Sequence, residues 1–428
     1  MSNFERRDFL KAMGAAAAGS LTWPVSALGA GKISGKIVIV GGGFGGATCA
    51  RYLRRWGGPD LDITVIEKSP TYTTCVLSNE VIVGDMELED LTHDYSSLKG
   101  GRKINFIHDE VAAIDPAGKQ VTLKGGDSVG YDKLVVSPGI SFKFGAVEND
   151  EEAVKEAMPH AYLKAGEQTL LLRKQLMAME DGGTVIIVPP KKPFRCPPGP
   201  YERASLIAHY LKNNKPKSKV LIIDANESHS KQAAFNEGWK AEYPGMIEWV
   251  QGSLGGDAEA VDIASMTVIA GFGEKYKGDV INLIPRQQAG AIAVQTDLVN
   301  ADGWCPVDWR TFESTIHPDI HVIGDSALAE PMPKSAHVAA AHAKVCAAAI
   351  VSNLAGAEPP EPAMANTCYS LIKPRYAISV AQVYRLVDGK ITQVSGWPTK
   401  TGLPMKYHKK EAKALKGWYK SIVRDMLE

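Results

Sequence analysis

No CxxC, CxxCH or zinc-like cluster occurs in the 428 residues; the six cysteines, Cys49, Cys75, Cys196, Cys305, Cys346 and Cys368, are scattered singly. That spacing excludes a covalently attached haem c in this chain and argues against a metal site. Net charge is missing too. Lys+Arg and Asp+Glu are both 48, so no overall field favours nucleic acid or an anionic membrane, and partner recognition must be local. After the first thirty residues no window reads as a membrane-spanning helix. The Ala-rich run 335–356 holds His337, His342 and Lys344, which suits a packed helix better than lipid. What remains is an ordinary globular composition, 45% hydrophobic, long enough for two or three domains.

The first residues carry ERRDFLK, Glu5 to Lys11, followed by an Ala- and Gly-rich segment, Ala12 to Ala30, that ends near the small residues Ala27, Gly29 and Ala30. This is the pattern of a cleavable twin-arginine export signal. A retained anchor is disfavoured because the apolar stretch is short and weakly hydrophobic. Residues 1–30 are therefore set apart from the fold, and the expected location is the periplasm, reached in the folded state.

Shortly after the signal, KIVIVGGGFGGATCARYLRRW presents Gly41, Gly43 and Gly46 between a strand, Lys36 to Val40, and a helix, Gly45 to Trp56. The next strand, Asp62 to Ile66, ends at Glu67, 21 residues beyond Gly46. Strand, helix and acid in register make a dinucleotide-binding βαβ unit. The glycines allow tight turning, the helix start offers N–H groups to a pyrophosphate, and the acid meets a ribose hydroxyl. Short strands follow at Ile104 to Ile107, Val111 to Asp115 and Gln120 to Lys124, then YDKLVVSPG at Tyr131 to Gly139. A second helix-rich unit has strands at Thr184 to Val188, Lys219 to Ile223 and Met266 to Ala270 and repeats the βαβ layout.

That second unit lacks a glycine fingerprint. After Val185 to Val188 it has PPKKPFRCPPGPYERASLIAHYL, whose prolines have no N–H to offer a phosphate. The fold is expected to remain while NAD(P)H binding is lost, which disfavours an NAD(P)H-dependent disulfide reductase. TIHPDIHVIGD, Thr315 to Asp325, closes a third segment, and the residues from about 357 form a tail with a strand at Tyr376 to Leu386 and a basic amphipathic helix near His408 to Leu427.

Gly41 to Gly46 with Glu67, YDKLVVSPG and IHVIGD resemble the discontinuous FAD domain of the two-dinucleotide-fold flavoprotein disulfide reductases. RCPPGPYE, YTTCVLSNEV at Tyr72 to Val81, NTCYSL at Asn366 to Leu371, VINLIPRQQAG and GWCPVD are similar, more specifically, to the flavin subunit of flavocytochrome c sulfide dehydrogenase. The resemblance runs over essentially the whole mature chain. It implies an α/β fold of two Rossmann-like domains, a discontinuous FAD domain (31–150 and 276–356) and a degenerate NAD-like domain (151–275), with a C-terminal α+β interface domain (357–428). It also implies FAD, with Asp325 hydrogen-bonded to the ribityl chain and Cys75 thioether-linked to the ring, and a redox-active disulfide between Cys196 and Cys368. The implied activity is oxidation of sulfide to sulfur or polysulfide. Electrons would pass to a c-type cytochrome subunit in a heterodimer, with no stable membrane insertion.

Thiol exchange gives that assignment chemical sense, since hydrosulfide attacks a disulfide to leave a persulfide and a thiolate. Cys49 and Cys346, inside helical segments, are expected to be small apolar core residues. Cys305 has no assigned role. Lys191, Lys192 and Arg195 beside Cys196 either attract hydrosulfide and lower a thiol pKa, or form a solvated basic loop. No histidine spacing marks a general acid. Two rivals remain: a sulfide:quinone oxidoreductase at the membrane surface, and an exported flavoprotein accessory of a sulfur-oxidising complex that does not itself turn over sulfide.

Overall fold

The computed structural model describes residues 33–143, 147 and 151–428. The twin-arginine segment lies outside them. Five parallel strands make the first sheet, in the spatial order Ile320–Val322, Lys133–Val136, Gly35–Val40, Leu61–Ile66 and Asn105–Ile107. Their β-branched runs are buried almost throughout, with Ile37, Ile39, Ile63, Val65, Val135 and Val322 at 0% exposure, as a parallel sheet covered on both faces requires. The helix Phe44–Gly57 and the Ala-rich helix Ala336–Leu354 pack together on this core. Ser335 starts the second of them by accepting the Val338 N–H at 3.2 Å. Small side chains let the two helices approach closely: Cys49, Ala343, Cys346 and Ala347 are all fully buried. Both cysteines are core residues, as the sequence suggests, and so is Cys305.

The second parallel sheet runs Ile247–Val250, Lys219–Ile223, Thr184–Val188, Val280–Leu283. Two sequence expectations need correction here. Met266 to Ala270 is not a strand of this sheet; Thr267–Ala270 belongs to an antiparallel hairpin sheet with Ala258–Asp262 and Lys275–Lys277. Asp262 turns that hairpin by accepting N–H groups from Ala264 and Ser265. The domain division after residue 275 also falls one strand early, because Val280–Leu283 pairs with Thr184–Val188 and is part of the second domain. The return to the first domain comes with Arg286–Ala289, which pairs antiparallel with Ile140–Lys143.

The C-terminal unit is α+β: three long antiparallel strands, Ala363–Lys373, Tyr376–Val387 and Lys390–Pro398, followed by the helix Met405–Leu427. That helix buries Leu415, Tyr419, Ile422 and Met426 against its own chain. Asp425 ties it to the first domain through Arg51 and Tyr52, both at 2.8 Å, and Lys344 at 2.7 Å. Among the described residues no helix is long and apolar enough to cross a membrane.

Candidate flavin and dithiol site

Gly41 sits at φ +96°, a left-handed backbone that an L side chain rarely adopts. Gly46 is required for a different reason: a methyl there would penetrate the carbonyl group of Gly41, so only glycine lets the helix start this close to the strand. Gly43 faces the Tyr72 ring. Glu67, at the end of Leu61–Ile66, accepts the Gly42 N–H at 2.8 Å through one oxygen and the Ser69 N–H at 3.1 Å through the other. Each oxygen keeps a lone pair for a further donor. Asp325 follows Gly324, at φ +74°, after the Ile320–Val322 strand. One of its oxygens takes the Arg195 Nε–H at 2.6 Å; the other is buried with no partner. A glycine cradle at a helix N-terminus, a carboxylate at the next strand end and an orphaned buried acceptor on Asp325 fit a dinucleotide whose hydroxyls donate to both acids.

Cys75 lies in a pinned turn. Its carbonyl accepts from the Ser78 N–H at 3.2 Å and hydroxyl at 2.8 Å, and the neighbouring Thr74 hydroxyl meets Tyr419 of the last helix at 3.1 Å. Tyr72, two residues before that threonine, marks where the pieces meet. Burial pushes its phenol well up, with Cys75, Asp325 and Glu67 adding to the rise and Arg195 opposing it. Tyr72 lies within YTTCVLSNEV, where nothing local marks it; its place between fingerprint, Cys75 and Asp325 is a tertiary fact.

Cys196 has φ +51°, a conformation that costs a non-glycine residue on the order of 1–3 kcal/mol and persists only where the surroundings impose it. They do so here. Its N–H donates to the Lys334 carbonyl at 2.7 Å, and its own carbonyl accepts the Tyr162 hydroxyl at 2.7 Å and the Gly199 N–H at 2.8 Å. Cys368 comes from the Ala363–Lys373 strand, held one residue earlier where the Thr367 N–H donates to His337 at 2.8 Å. Burial pushes both thiols up, and the helix that starts three residues after Cys196 meets the Cys368 strand, its Glu202 accepting the Leu371 N–H at 2.8 Å, which brings the two distant cysteines into one region. Cys196 and Cys368 are both free, partly exposed thiols in this structure.

Glu202, in the first turn of the helix Gly199–Asn214, acts on both thiols. Burial raises its carboxyl, although the Leu371 N–H donates to it at 2.8 Å. The sequence contains it within RCPPGPYE without assigning it a role; an acid in the first helical turn after a cysteine is the signal that was there. Arg195 is not a free loop cation: it pairs with Asp325 at 2.6 Å and donates to the Leu163 carbonyl at 2.6 Å. Lys192 donates to the Ser228 carbonyl at 2.7 Å. The cation that does reach a thiol is Lys231, unremarked in the sequence, with Nζ 3.9 Å from Cys368 Sγ.

In the second domain the corresponding strand end is engaged by protein groups. Asp224, where an acid would meet a ribose, accepts from Tyr201 and Trp249 on one oxygen and twice from Asn226 on the other, at 2.6–2.9 Å. The crevice walled by Val188 to Lys191 and Leu283 to Arg286 holds about 40 Å³, far below the roughly 300 Å³ of the smallest ordinary ligand pockets.

Fold and site together define a flavoprotein of the disulfide-reductase type. Residues 35–178 match the pyridine nucleotide-disulphide oxidoreductase family, residues 169–285 the central domain of the sulfide dehydrogenase [flavocytochrome c] flavoprotein chain, and residues 360–427 the flavocytochrome c sulphide dehydrogenase flavin-binding domain. The chain is 46% identical over 46 residues to the sulfide dehydrogenase [flavocytochrome c] flavoprotein chain of Chlorobaculum thiosulfatiphilum, covering 11% of this chain and 94% of that sequence. It therefore belongs to the flavocytochrome c sulfide dehydrogenase flavoprotein family. It is also 27% identical over 184 residues to the sulfide-quinone reductase of Aquifex aeolicus, a match spanning 43% of this chain but only 41% of that protein. The solved structure of the Aquifex aeolicus sulfide:quinone oxidoreductase superposes with a TM-score of 0.73 at 19% identity, covering 91% of this chain and 92% of that one, which shows a common fold.

Proposed function

We propose that the protein is a FAD-dependent sulfide dehydrogenase that oxidises hydrosulfide to sulfur or polysulfide at the Cys196 and Cys368 pair. A c-type cytochrome subunit, bound as a heterodimer in the periplasm, receives the electrons. The observation that supports this reading is that the helix beginning three residues after Cys196 packs against the Cys368 strand, where its Glu202 accepts the Leu371 N–H at 2.8 Å.

With the pair oxidised, hydrosulfide attacks one sulfur. The S–S bond breaks, its electron pair leaves on the other sulfur, and HS⁻ plus RS–SR′ becomes RS–SH plus R′S⁻. Glu202, its carboxyl raised by burial, is placed to take the persulfide proton or return it to a thiolate. Tyr162 and Lys334 hold the Cys196 backbone in its left-handed turn, which fixes where its sulfur points. Gly41, Gly43, Gly46, Glu67 and Asp325 would hold FAD, which when bound supplies a two-electron acceptor able to release electrons singly.

Cys75 is the proposed thioether link, useful where a lost flavin could not be replaced. Acid precipitation of the native protein is expected to carry the yellow colour down with the pellet, with a flavin mass on the Cys75 peptide. Colour in the supernatant with Cys75 unmodified would refute the link.

Likeness to sulfide-quinone reductases favours a second reading, transfer to quinone. Two observations weigh against it: the apolar side of the last helix is buried against the rest of the chain, first domain included, and its outward face is lysine-rich, with Lys406, Lys409, Lys413, Lys416 and Lys420 all exposed. Anaerobic sulfide with either cytochrome c or a short-chain quinone as acceptor separates them. We expect cytochrome reduction at least tenfold faster; the reverse order would assign the quinone reaction, and no sulfide-dependent bleaching at all would favour the accessory protein.

A further inference from the structure

Lys231 occupies an odd position. It precedes the helix Gln232–Glu242, where Ser, Thr, Asp or Asn normally caps, yet it caps nothing with its side chain and has φ +60°. Its amino group turns instead to the Cys368 strand, donating to the Cys368 carbonyl at 3.2 Å and to the Ser370 hydroxyl at 2.8 Å, with Cys368 Sγ at 3.9 Å. The same residue lines an open cavity of about 530 Å³ walled by the helix start Lys231 to Ala234 and by Pro398 to Thr401. Lys231 and Lys400 are the charged groups of that lining and no acid is among it; Glu237, one turn along the helix, is engaged by the Gly402 N–H at 2.8 Å.

We propose that this cavity is the entry and holding site for anionic sulfur, hydrosulfide and short polysulfide, and that Lys231 is a catalytic residue that receives the negative charge as it appears on Cys368. The assignment deepens the disulfide reading above and rests on it. A cation at one sulfur of a pair makes that sulfur the better leaving group. Hydrosulfide therefore bonds to Cys196 Sγ as the Sγ–Sγ bond breaks. Both electrons of that bond go to Cys368 Sγ, which faces the ammonium, and the transferred sulfur stays on Cys196 as a persulfide. The groups acting on Cys368 from the packed elements agree with that polarity: burial raises its thiol, Lys231 is the largest opposing influence, and Glu202 adds to the rise. For Cys196, burial and Cys368 raise the thiol, and Lys231 acts only after them and Glu202.

The test uses the full holoprotein with Lys231→Met, Lys231→Arg and Lys400→Ala. In anaerobic stopped flow, Lys231→Met is expected to lower the second-order rate constant for bleaching by hydrosulfide at least tenfold. Lys231→Arg should stay within about threefold of the native protein, Lys400→Ala should raise the half-saturating hydrosulfide two- to threefold, and dithionite should bleach all of them alike. A second arm needs no turnover. In the prereduced protein, iodoacetamide is expected to label Cys368 before Cys196, and Lys231→Met to cut the Cys368 rate at least fivefold, read by peptide mass. Native bleaching and labelling in Lys231→Met would overturn the proposal; should that variant fold poorly, Lys231→Arg behaving no better than a Lys231→Gln variant would do the same. Failure of the native protein to bleach with sulfide, or full activity in Cys196→Ser, would instead reject the disulfide reading, while the labelling arm still reports whether Lys231 activates Cys368.

Discussion

Gly46→Ala is expected to yield a chain with less than a tenth of the native flavin content and a clearly lowered Tm. The new methyl would meet the Gly41 carbonyl well inside van der Waals contact and press on Ile39 Cγ2 at 3.1 Å. Overpacking a rigid core typically costs about 1–3 kcal/mol, and this one has few ways to relax. The helix cannot move away from the strand, because Cys49, Ala50 and Leu53 are fully buried on its inner side. Gly41 cannot swing aside, because its N–H is held by the Ile66 carbonyl at 2.9 Å and its φ of +96° is already special. Any relief therefore shifts the first helical N–H groups, the ones aimed at a pyrophosphate. Gly100→Ala, where a methyl would meet nothing within 4 Å, is the matched control and should leave flavin content and Tm unchanged. Native flavin content in Gly46→Ala would mean that this loop is not where the dinucleotide binds.

The contrast between these residues and Lys231 shows what a linear reading of this chain reaches. Gly41, Gly46 and Glu67 are legible because their roles depend on spacing within one βαβ unit, and the periodicities of strand and helix are local. Val280–Leu283 cannot be placed from spacing alone because a hairpin excursion, Ala258 to Lys277, separates it from the strands before it; only its pairing with Thr184–Val188 places it. Arg195 looked like a loop cation because its partner, Asp325, lies 130 residues on. Tyr72, Glu202 and Lys231 gain their meaning entirely from long-range approach, and a left-handed backbone at Lys231 or Cys196 leaves no mark in composition. Motifs locate the sulfur chemistry here, but the charges that tune it come from elements with no motif.

Cys196→Ser and Cys368→Ser are each expected to lower the rate of flavin bleaching by sulfide at least a thousandfold, about 4 kcal/mol in barrier, while dithionite bleaching and Tm stay near native. A serine replaces each half-buried thiol almost isosterically, so folding should be little affected, but neither variant can form the bond that hydrosulfide opens. The double variant should be no slower than either single one, because the two sulfurs act as one unit and their losses do not add. A sum of two separate losses would mean that the cysteines act independently. The protonation of the reduced pair gives a second check. Burial raises both thiols from their ordinary value near 9.0, so at neutral pH reduction takes up two protons with two electrons. The midpoint potential of the pair should then fall by about 59 mV per pH unit from pH 6 to 8, since one proton in a two-electron couple contributes about 30 mV. A slope near half that value would show that one sulfur is held as a thiolate at neutral pH, the state that Lys231 favours at Cys368, and would place the balance at that sulfur with the lysine rather than with burial.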